Sequence, residues 1–525
     1  MVSDLERNLI ERVAVGDIIT RSADLFPDRP ALIEASGALS YHELAARSDR
    51  LAHALLALGL KRQDVVAVMA GNCRELLIIY FACAKAGLVC SPVNLGLRSK
   101  EIVFCLNDSR AQLLIAEAGL VKMARPLTEQ VPSLKAVYWI GDLSAEVAKS
   151  AGSFEALLAG GRDGELEVVI GDRDPVQLLY TSGTTAAPKG VLTSHLAVTL
   201  TAMSNALANR MSHETSTLGV LPLFHVAQLN ATSLPVLLAG GTLVLERRFE
   251  AVRAAELIER HGISMLVLLP IMYTALQETR GGRPLPSVTR AIYTIATMPV
   301  ERLEAIHSLF PLADVVSGAG MTELPRSTYQ RREHQWSKAA SWGSATVVTR
   351  IAIMDGEGRR LPRGEIGEIV YRGPQVMNGY LNLPEKTAKA FAHGWFHSGD
   401  LGWIDDDGAV WFTDRKKDLI KTGGENVASV EVERCLLEHP AVSEAAVVGV
   451  PHPRWSEAVV AVVILKPGEQ VDEAGLIAHC REHLAGFKLP KAVRMMESFP
   501  RTGNDKVQKQ RIRGELIGLF AGAED

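Results

Sequence analysis

Short apolar segments alternate with helical segments between Asp64 and Ser317, and this alternation constrains the fold most. Asp64–Met69 is a short buried strand, Glu75–Ala86 has a helical pattern, and Leu113–Ala116 is apolar again. Strands that alternate with helices in this way form βαβ units, in which the strands lie parallel in one sheet. The pattern recurs in five later apolar segments: Leu218–Pro222, Thr242–Glu246, Met265–Leu269, Ala291–Ile295 and Asp314–Ser317. The sequence therefore predicts an α/β fold built on parallel sheets.

The remainder of the chain has a different pattern. Val348–Met354, Gly367–Tyr371 and Val410–Phe412 are short strands among glycines and prolines, which suggests a small β-barrel or a meander. Asp414–Asp418 is a dense run of charges that suits a solvated hinge. The helical and alternating segments beyond it predict a separate α+β domain. We therefore expect a large amino-terminal domain over residues 1–413, a hinge over 414–418 and a small domain over 419–525.

The composition is that of a folded protein without a strongly charged surface. Of the 525 residues, 47% are hydrophobic and 22% are charged, and the net charge is −4. These values argue against disorder and against a nucleic-acid partner. The six cysteines are scattered without CxxC pairs, which indicates buried thiols of a reducing cytoplasm. Leu76–Cys90, the most apolar run, is too short to span a bilayer, and the amino terminus is not a signal peptide. We expect a cytoplasmic protein without a membrane span.

The strongest chemical signal is Tyr180–Gly190, a run of hydroxyls and glycines with one lysine, directly after an apolar segment. A strand that ends in such a loop offers backbone N–H groups, hydroxyls and a cation, which are the groups that bind polyphosphate oxygens. Pro188 stands where a Walker A loop needs its second glycine, so the loop is of another type. A flexible surface loop would leave Pro188-Lys189-Gly190 unexplained. The segment therefore favours phosphate binding.

Two further segments carry polar groups directly after strands. Leu221–His225 places an aromatic residue and a histidine at a strand end. Gly318–Glu323 sets a hydroxyl beside a carboxylate, a pair that can hold a phosphate oxygen and a magnesium ion. Each also has a simpler explanation, because a histidine is often a hydrogen-bonded core residue and Thr322 can cap a helix.

Two polar residues stand out near the carboxyl end. Asp400 is isolated between glycines within Gly394–Gly402, where a diol can approach it. Lys506 ends the polar loop Pro500–Lys506. Taken alone, Asp400 is a solvated turn residue and Lys506 a surface lysine, so both depend on the other motifs for their interpretation.

In their order and spacing, these motifs resemble those of the AMP-forming adenylate enzymes, a family that includes acyl-CoA synthetases, firefly luciferases and the adenylation domains of peptide synthetases. The matching segments span the chain: Tyr180–Gly190, Pro222–His225, Gly320–Glu323, Tyr371–Pro374, Gly379-Tyr380, Trp395–Gly402, Asp414–Asp418, Gly423–Asn426 and Pro500–Lys506. The resemblance implies a large amino-terminal domain of two parallel-sheet subdomains plus a small β-barrel. It also implies a small mobile carboxy-terminal domain.

By this resemblance the chain joins a carboxylate to ATP, which gives an acyl-adenylate and pyrophosphate. The catalytic residues would be Lys506, Thr322 and His225, with Lys506 bridging the carboxylate and the α-phosphate. Glu323 would hold Mg²⁺. ATP and AMP would be bound by Thr181, Ser182, Gly183, Thr184, Thr185, Lys189, Gly320, Met321, Thr322, Asp400 and Arg415.

The resemblance also implies a second step, in which an acceptor attacks the adenylate. The small domain would swing about Lys417 and bring Gly423 and Gly424 to the active site, where small residues admit a slender pantetheine arm. The acid pocket would be lined by His225, Val226, Ala296, Gly318 and Ala319. Apolar side chains in this region suggest an aliphatic, alicyclic or aromatic acid.

Some positions depart from the family's pattern. Ala186 and Asp505 each replace a common glycine, Ala319 replaces an aromatic residue, and Thr294–Ala296 replaces a Gly-Gly-Ala turn. None of these changes removes a residue with a named catalytic role, so we expect an active enzyme.

The leading interpretation is an acid–CoA ligase that uses ATP, Mg²⁺ and coenzyme A, as a monomer or homodimer. The alternative is a stand-alone amide synthetase that resembles coronafacate ligase, with an amine as the acceptor; the departures near Thr294 and Ala319 keep it open. A nucleotide-binding protein without activity is disfavoured, because the polar residues expected at the site are all present: Lys189, Glu323, Asp400, Arg415 and Lys506.

Overall fold

The structure is a computed structural model that describes residues 2–142, 152–181, 188–294, 300–501 and 506–521. The chain divides into two compact units. The first comprises Met1–Ile351, Tyr371–Phe396 and Gly408–Val410, and the second comprises Ala352–Val370, His397–Asp407 and Trp411–Asp525. The domain boundaries at 413 and 419, and the hinge between them, stay a prediction.

The first unit contains an eight-stranded sheet. In spatial order its strands are Gly379–Tyr380, Lys189–Ser194, Pro175–Thr181, Val89–Pro92, Val65–Met69, Leu113–Glu117, Ala136–Ile140 and Gly152–Ser153. The strands from Pro175–Thr181 to Gly152–Ser153 pair in parallel. At the other edge, Lys189–Ser194 pairs antiparallel with both of its neighbours, Pro175–Thr181 and Gly379–Tyr380. The parallel part is apolar along its length because helices cover both of its faces.

A seven-stranded sheet completes the first unit. Its spatial order is Asp314–Ser317, Arg290–Tyr293, Met265–Leu268, Ser216–Gly219, Thr242–Leu245, Pro30–Glu34 and Gly37–Ser40. All of these pairings are parallel except the last, which joins Pro30–Glu34 to Gly37–Ser40. The two sheets confirm the predicted α/β fold with two parallel-sheet subdomains.

The helices of the first unit connect and cover these strands. The α-helices of at least six residues are Asp4–Glu11, Gly16–Leu25, Tyr41–Ala57, Arg74–Ala86, Ser99–Asp108, Phe154–Ala159, His195–Ala208, Ala251–His261, Pro270–Arg280, Val300–Leu309 and Pro384–Ala390. The α-helical segments Val121–Ala124, Leu127–Gln130, Val226–Gln228 and Leu234–Leu238 are shorter. Arg74–Ala86 is buried along its whole length from Leu76, which agrees with the apolar sequence there, and the one charged residue in this stretch, Lys85, pairs with Asp49 at 2.6 Å.

A four-stranded sheet lies mainly in the second unit. Its order is Arg350–Met354, Gly367–Arg372, Phe396–Ile404 and Val410–Arg415. Among the described residues the two outer strands do not pair with each other, so the sheet is open and the predicted β-barrel is wrong. Four strands are too few to close around a core, since even the small closed or nearly closed barrels need five.

The second unit ends in an α+β arrangement. Its sheet has the order Glu425–Val427, Ile420–Thr422, Ser456–Leu465 and Val442–His452, and Ala492–Met495 pairs in parallel with Ser456–Leu465. The helices are Ser429–Leu437, Glu473–His483 and Lys509–Leu516. Apolar residues of the two long strands alternate between two clusters, one on each face of this sheet. The predicted α+β domain is present.

All six cysteines are free and buried, as the sequence predicts. Burial raises the pKa of Cys105 and that of Cys480 to about 12, so both thiols stay protonated near neutral pH. Among the described helices, none has both the length and the apolar character that a membrane crossing requires.

Candidate active site

A pair of antiparallel strands frames the predicted phosphate loop. Pro175–Thr181 and Lys189–Ser194 pair so that Thr181 lies opposite Lys189. The Thr181 hydroxyl lies 3.5 Å from the Lys189 carbonyl oxygen, to which it donates a long hydrogen bond. Both residues are therefore fixed by the edge of the eight-stranded sheet. The predicted loop residues Ser182, Gly183, Thr184 and Thr185 lie outside the described part of the chain.

Lys189 and Glu323 both contact one aromatic residue, Tyr380. The Lys189 ammonium lies 4.6 Å from the centre of the Tyr380 ring, within cation–π range. The Tyr380 hydroxyl donates a 2.8 Å hydrogen bond to Oε1 of Glu323. Burial, together with the negative charge of Glu323, raises the pKa of Tyr380, so the phenol stays protonated and remains a donor. The structure thus brings together the predicted phosphate-binding lysine and the predicted magnesium-binding carboxylate.

Tyr380 is held by a short strand at the edge of the same sheet. Gly379 and Tyr380 pair antiparallel with Leu192 and Val191. Gly379 has a φ of +153°, which residues with a side chain rarely adopt, and a Cβ there would lie 2.8 Å from a Thr387 methyl carbon. Thr387 also accepts a 3.0 Å hydrogen bond from the Tyr380 N–H. A glycine directly before Tyr380 is therefore required for this geometry.

Thr322 and Glu323 form the centre of a tight turn. The backbones of Met321 and Leu324 exchange two hydrogen bonds of 2.9 and 3.1 Å around them. A Cβ on Gly320 would overlap the carbonyl oxygen of Pro325, so only glycine fits before the turn. The turn explains why Gly320–Glu323 is one motif, because the glycine allows the close approach that places the hydroxyl and the carboxylate side by side.

The predicted acid-pocket residues lie in two segments of the first unit. His225 accepts a 3.2 Å hydrogen bond through Nδ1 from the Ala227 N–H and so caps the short helix Val226–Gln228. Val226 is buried. Ala319 donates from its N–H to the Thr328 hydroxyl, at 3.2 Å. Ala296 lies outside the described residues.

In the second unit, Asp400 and Arg415, which are both predicted to bind the nucleotide, form an ion pair. Nε of Arg415 lies 3.2 Å from Oδ1 of Asp400, whose side chain is buried while that of Arg415 is half exposed. The Asp400 N–H donates to the Ser398 hydroxyl at 3.0 Å, and that hydroxyl donates to the Ile369 carbonyl at 2.6 Å. The carboxylate is therefore held in a fixed orientation, as a group that must accept from a diol needs to be.

Glu368 supports the turn that carries Asp400. Its carboxylate accepts a 3.0 Å hydrogen bond from the Gly399 N–H and lies 3.1 Å from Nδ1 of His397 and 3.2 Å from the Lys416 ammonium. Burial alone would raise the pKa of Glu368, but the hydrogen bond with His397 and the charge of Lys416 lower it overall. The carboxylate therefore stays charged and holds Gly399 beside Asp400.

A chain of polar contacts links the predicted hinge to the carboxy-terminal helix. The carboxylate of Asp414 accepts hydrogen bonds from the N–H groups of Arg415 and Ser429. The Ser429 hydroxyl accepts a 2.7 Å hydrogen bond from the Lys509 ammonium, which also pairs with Glu433 at 2.6 Å. Lys417, the predicted hinge residue, lies three residues after Asp414 in a turn.

Gly423 and Gly424 form a two-residue turn between the strands Ile420–Thr422 and Glu425–Val427. Their φ values of +59° and +87° suit a hairpin turn with positive φ at both positions. The Gly423 N–H donates a 3.0 Å hydrogen bond to the Trp455 carbonyl. The predicted acceptor edge is therefore a glycine turn beside a tryptophan.

Lys506 is exposed, and described residues on either side of it contact each other through their backbones. Arg501 and Val507 form an isolated β-bridge, and the Gln508 N–H donates to the Pro500 carbonyl at 2.7 Å. The Gln508 side chain also donates to the Arg501 carbonyl, at 2.9 Å. These contacts fix both ends of the loop that carries the predicted catalytic lysine.

Two family profiles match this chain. The profile described as AMP-binding enzyme matches residues 19–381, which include Lys189, Glu323 and Tyr380. The chain belongs to the AMP-binding enzyme family. The profile described as the AMP-binding enzyme C-terminal domain matches residues 431–506, which end at Lys506. The resemblance inferred from the motifs is confirmed.

Several proteins that are similar in sequence to this AMP-binding enzyme are CoA ligases. The feruloyl-CoA synthase of an Amycolatopsis species is 35% identical, over 95% of this chain and 98% of the relative. The indoleacetate–CoA ligase of Aromatoleum aromaticum is 34% identical, over 94% and 96%. The structure of ATP-bound MatB from Rhodopseudomonas palustris has a TM-score of 0.87 at 29% identity, and the match covers 96% of this chain and 99% of that one.

Sequence reasoning did not assign roles to two residues of the site in this AMP-binding enzyme. Tyr380 was part of a matched motif, and its position directly after a glycine was the available signal. Glu368 lies in an ordinary strand sequence and carries no such signal, because its partners His397, Gly399 and Lys416 are distant along the chain.

Proposed function

We propose that this AMP-binding enzyme is an acid–CoA ligase, which activates an organic acid with ATP and then transfers the acyl group to coenzyme A. The arrangement of Lys189, Tyr380 and Glu323 carries this proposal. A cation and a carboxylate held about one ring can act together on a polyphosphate and its metal. The named CoA-ligase relatives, which match this chain over nearly its whole length, support coenzyme A as the acceptor.

The carboxylate of Glu323 is suited to bind a magnesium ion. One of its oxygens accepts from Tyr380, and the other has no hydrogen-bond partner among the described residues. No cluster of three His, Cys, Asp or Glu side chains suited to a metal occurs in the described part of the chain. Mg²⁺ is commonly bound by one or two carboxylates together with substrate phosphates and water, so one carboxylate is sufficient. When bound, Mg²⁺ supplies positive charge to the phosphate oxygens.

The first step joins two anions, so the enzyme must neutralise charge. A carboxylate oxygen of the acid attacks the α-phosphorus of ATP, the new P–O bond forms, and the bond to pyrophosphate breaks. Lys189 stabilises the phosphates of the leaving pyrophosphate, and Lys506 stabilises the charge between the acid and the α-phosphate. Asp400 accepts hydrogen bonds from the ribose hydroxyls, with Arg415 holding the carboxylate in place. These roles explain why two lysines and an oriented aspartate are needed.

The second step transfers the acyl group to the thiol of coenzyme A. The sulfur attacks the acyl carbon of the mixed anhydride, the thioester bond forms, the bond from this carbon to the phosphate oxygen breaks, and AMP leaves while the thiol proton passes to solvent. The turn at Gly423 and Gly424 has no side chains to obstruct a slender pantetheine arm. Trp455 lies beside this turn, and the Lys491 ammonium lies 4.7 Å from the tryptophan ring centre. Lys488 is instead paired with Glu431 at 2.6 Å, so Lys491 is the better placed of the two for a coenzyme A phosphate.

The amide-synthetase alternative is not favoured, because the named relatives are CoA ligases. The test is a screen of organic acids for pyrophosphate release, repeated with coenzyme A and with amines, with the products identified by mass. We expect AMP, pyrophosphate and an acyl-CoA thioester. ADP as the nucleotide product, or an amide without any thioester, would refute the proposal.

A further inference from the structure

Arg326 is a buried cation in the first unit, and no carboxylate among the described residues pairs with it. Its relative exposure is 6%, and Nε donates a 2.8 Å hydrogen bond to Oδ1 of Asn205. Among the described residues, the two terminal nitrogens of the guanidinium have no hydrogen-bond or ion-pair partner. A guanidinium has five N–H donors, and a buried one is normally paired with an anion. Most of the N–H donors of Arg326 are therefore not used by the part of the chain that the structure describes.

The guanidinium of Arg326 packs against Gly318, a residue of the predicted acid pocket. A Cβ on Gly318 would overlap Nη1 of Arg326, so the arginine occupies the space that a side chain at position 318 would need. Ala319, the next residue, is held to Thr328 and Ser327 by hydrogen bonds of its N–H and carbonyl groups. Arg326 thus lies in the same hydrogen-bonded segment, residues 318–328, as two residues of the predicted acid pocket. Its charged end lies beside one of these two, Gly318.

The charge of Arg326 persists despite burial. Loss of water lowers the pKa of Arg326 to about 10, which still leaves the group protonated at neutral pH. Asn205 is a neutral acceptor and does not compensate the charge. A buried, uncompensated cation is costly for folding, and a ligand that brings an anionic group would remove that cost.

We infer that Arg326 determines substrate specificity by binding a second carboxylate, at the end of the acid remote from the reacting carboxylate. The inference rests on the proposed function, because it assigns the far end of the same acid pocket. The planar fork of Arg326 matches a carboxylate, and the two free nitrogens provide the donors for it. The preferred substrates are therefore dicarboxylic acids, and a monocarboxylic acid of equal length leaves the guanidinium unpaired.

The test compares matched acids on the full-length enzyme. The pairs are adipic with hexanoic acid and 4-carboxycinnamic with cinnamic acid, and binding is measured by calorimetry separately from thioester formation. We expect at least one diacid to bind tenfold or more tightly than its monoacid partner. The Arg326→Met substitution should shift the ratio of diacid to monoacid affinity by about 100-fold toward the monoacid, because a site built to bond a polar group discriminates strongly.

The Asn205→Asp substitution provides a second, nearly isosteric variant. It keeps the acceptor for Nε of Arg326 and supplies the missing negative charge from within the protein. We expect it to abolish the diacid preference while retaining the fold.

Diacids that bind no more tightly than their partners in both pairs would overturn the inference, as would an Arg326→Met variant with an unchanged ratio. Binding with the expected preference but without pyrophosphate release or thioester would refute the proposed function and leave the role of Arg326 supported.

Discussion

The hydroxyl of Tyr380 donates a 2.8 Å hydrogen bond to the carboxylate of Glu323. The two residues are 57 positions apart in the sequence, and Tyr380 reaches Glu323 through a two-residue strand at the edge of the eight-stranded sheet. The same ring lies under the Lys189 ammonium. One side chain therefore sets the separation between the proposed phosphate-binding cation and the proposed magnesium ligand.

Replacing Tyr380 with Phe should weaken the use of magnesium. The ring under Lys189 remains, but the carboxylate of Glu323 no longer accepts the hydrogen bond from the phenol, and a hydrogen bond to a charged acceptor is worth about 2 kcal/mol. We expect the Mg²⁺ concentration for half-maximal pyrophosphate release to rise about tenfold or more. Tyr273→Phe is the control, because it removes a hydroxyl that bonds the Ile292 carbonyl in the core. An identical magnesium response in both variants would contradict the role of Tyr380.

Replacing Asp400 with Ala should remove the preference for the ribose hydroxyls. Hydrogen bonds to a carboxylate contribute about 2 kcal/mol, so we expect the KM for ATP to rise about 30-fold. The KM for 2′,3′-dideoxy-ATP should change much less, because that nucleotide has no hydroxyls to donate. Steady-state kinetics with both nucleotides measures the difference. Equal losses with the two nucleotides would show that Asp400 has only a structural role.

Replacing Lys506 with Ala should abolish adenylation and spare thioester formation from a preformed adenylate. The proposed cation between the acid and the α-phosphate is needed only while the two anions react. Pyrophosphate exchange measures the first step, and coenzyme A consumption with synthetic acyl-adenylate measures the second. Lys466→Ala, at another exposed lysine of the same unit, should leave both steps unchanged. Comparable exchange rates in the Lys506 variant and the parent would end the assignment.

Replacing Lys417 with Pro should spare adenylation and impair transfer to coenzyme A. Proline fixes φ near −65° and so prevents the rotation that the proposed hinge requires. Stopped-flow measurement of the two steps separates them. Lys417→Ala removes the same charge but keeps the backbone free, and it should retain both steps. A parallel fall of both rates in the proline variant would argue against a hinge at this position.

Replacing His195 with Asn should reduce the amount by which the free energy of unfolding falls between pH 7 and pH 5. His195 accepts a hydrogen bond from the Val15 N–H, and burial lowers its pKa from 6.5 to about 4, although Asp174 opposes the change. Between these two values the unfolded chain binds a proton that the folded chain excludes, so stability falls as the pH falls. The effect is at most about 3 kcal/mol.

Urea unfolding of the His195→Asn variant at pH 7 and pH 5 tests this prediction. The asparagine oxygen can still accept from Val15 but cannot take up a proton. His213→Asn, at an exposed histidine, is the matched control and should keep the pH dependence of the parent. A parent whose stability is equal at both pH values would contradict the buried histidine's role.

Most of the strands that were predicted in the first unit lie within one or two residues of the observed ones, whereas strands such as Pro30–Glu34 and Lys189–Ser194 were not predicted. Leu113–Ala116 and Asp314–Ser317 are short apolar runs between polar residues, so burial on both faces of a parallel sheet defines their ends. The barrel could not be predicted. Whether Arg350–Met354 pairs with Val410–Arg415 depends on strand twist and shear, which a list of short strands does not contain.

In the candidate site, too, some residues could be identified from the sequence and others could not. Thr322, Glu323 and Asp400 could be identified because glycines beside them mark tight turns in the sequence itself. Glu368 could not, because its carboxylate acts on a turn 31 residues later and no local pattern indicates that contact. Arg326 was also missed, since its significance is that no carboxylate of the described residues lies beside it, which only the fold reveals.

The carboxylate of Asp414 accepts a hydrogen bond from the Ser429 N–H. Asp414 lies before the proposed pivot Lys417 in the sequence, and Ser429 lies after it. Rotation about Lys417 would pull these groups apart and break their bond. Under the proposed rotation, this contact would stabilise one of the two orientations, and its strength would set how readily the enzyme leaves that orientation during each catalytic cycle.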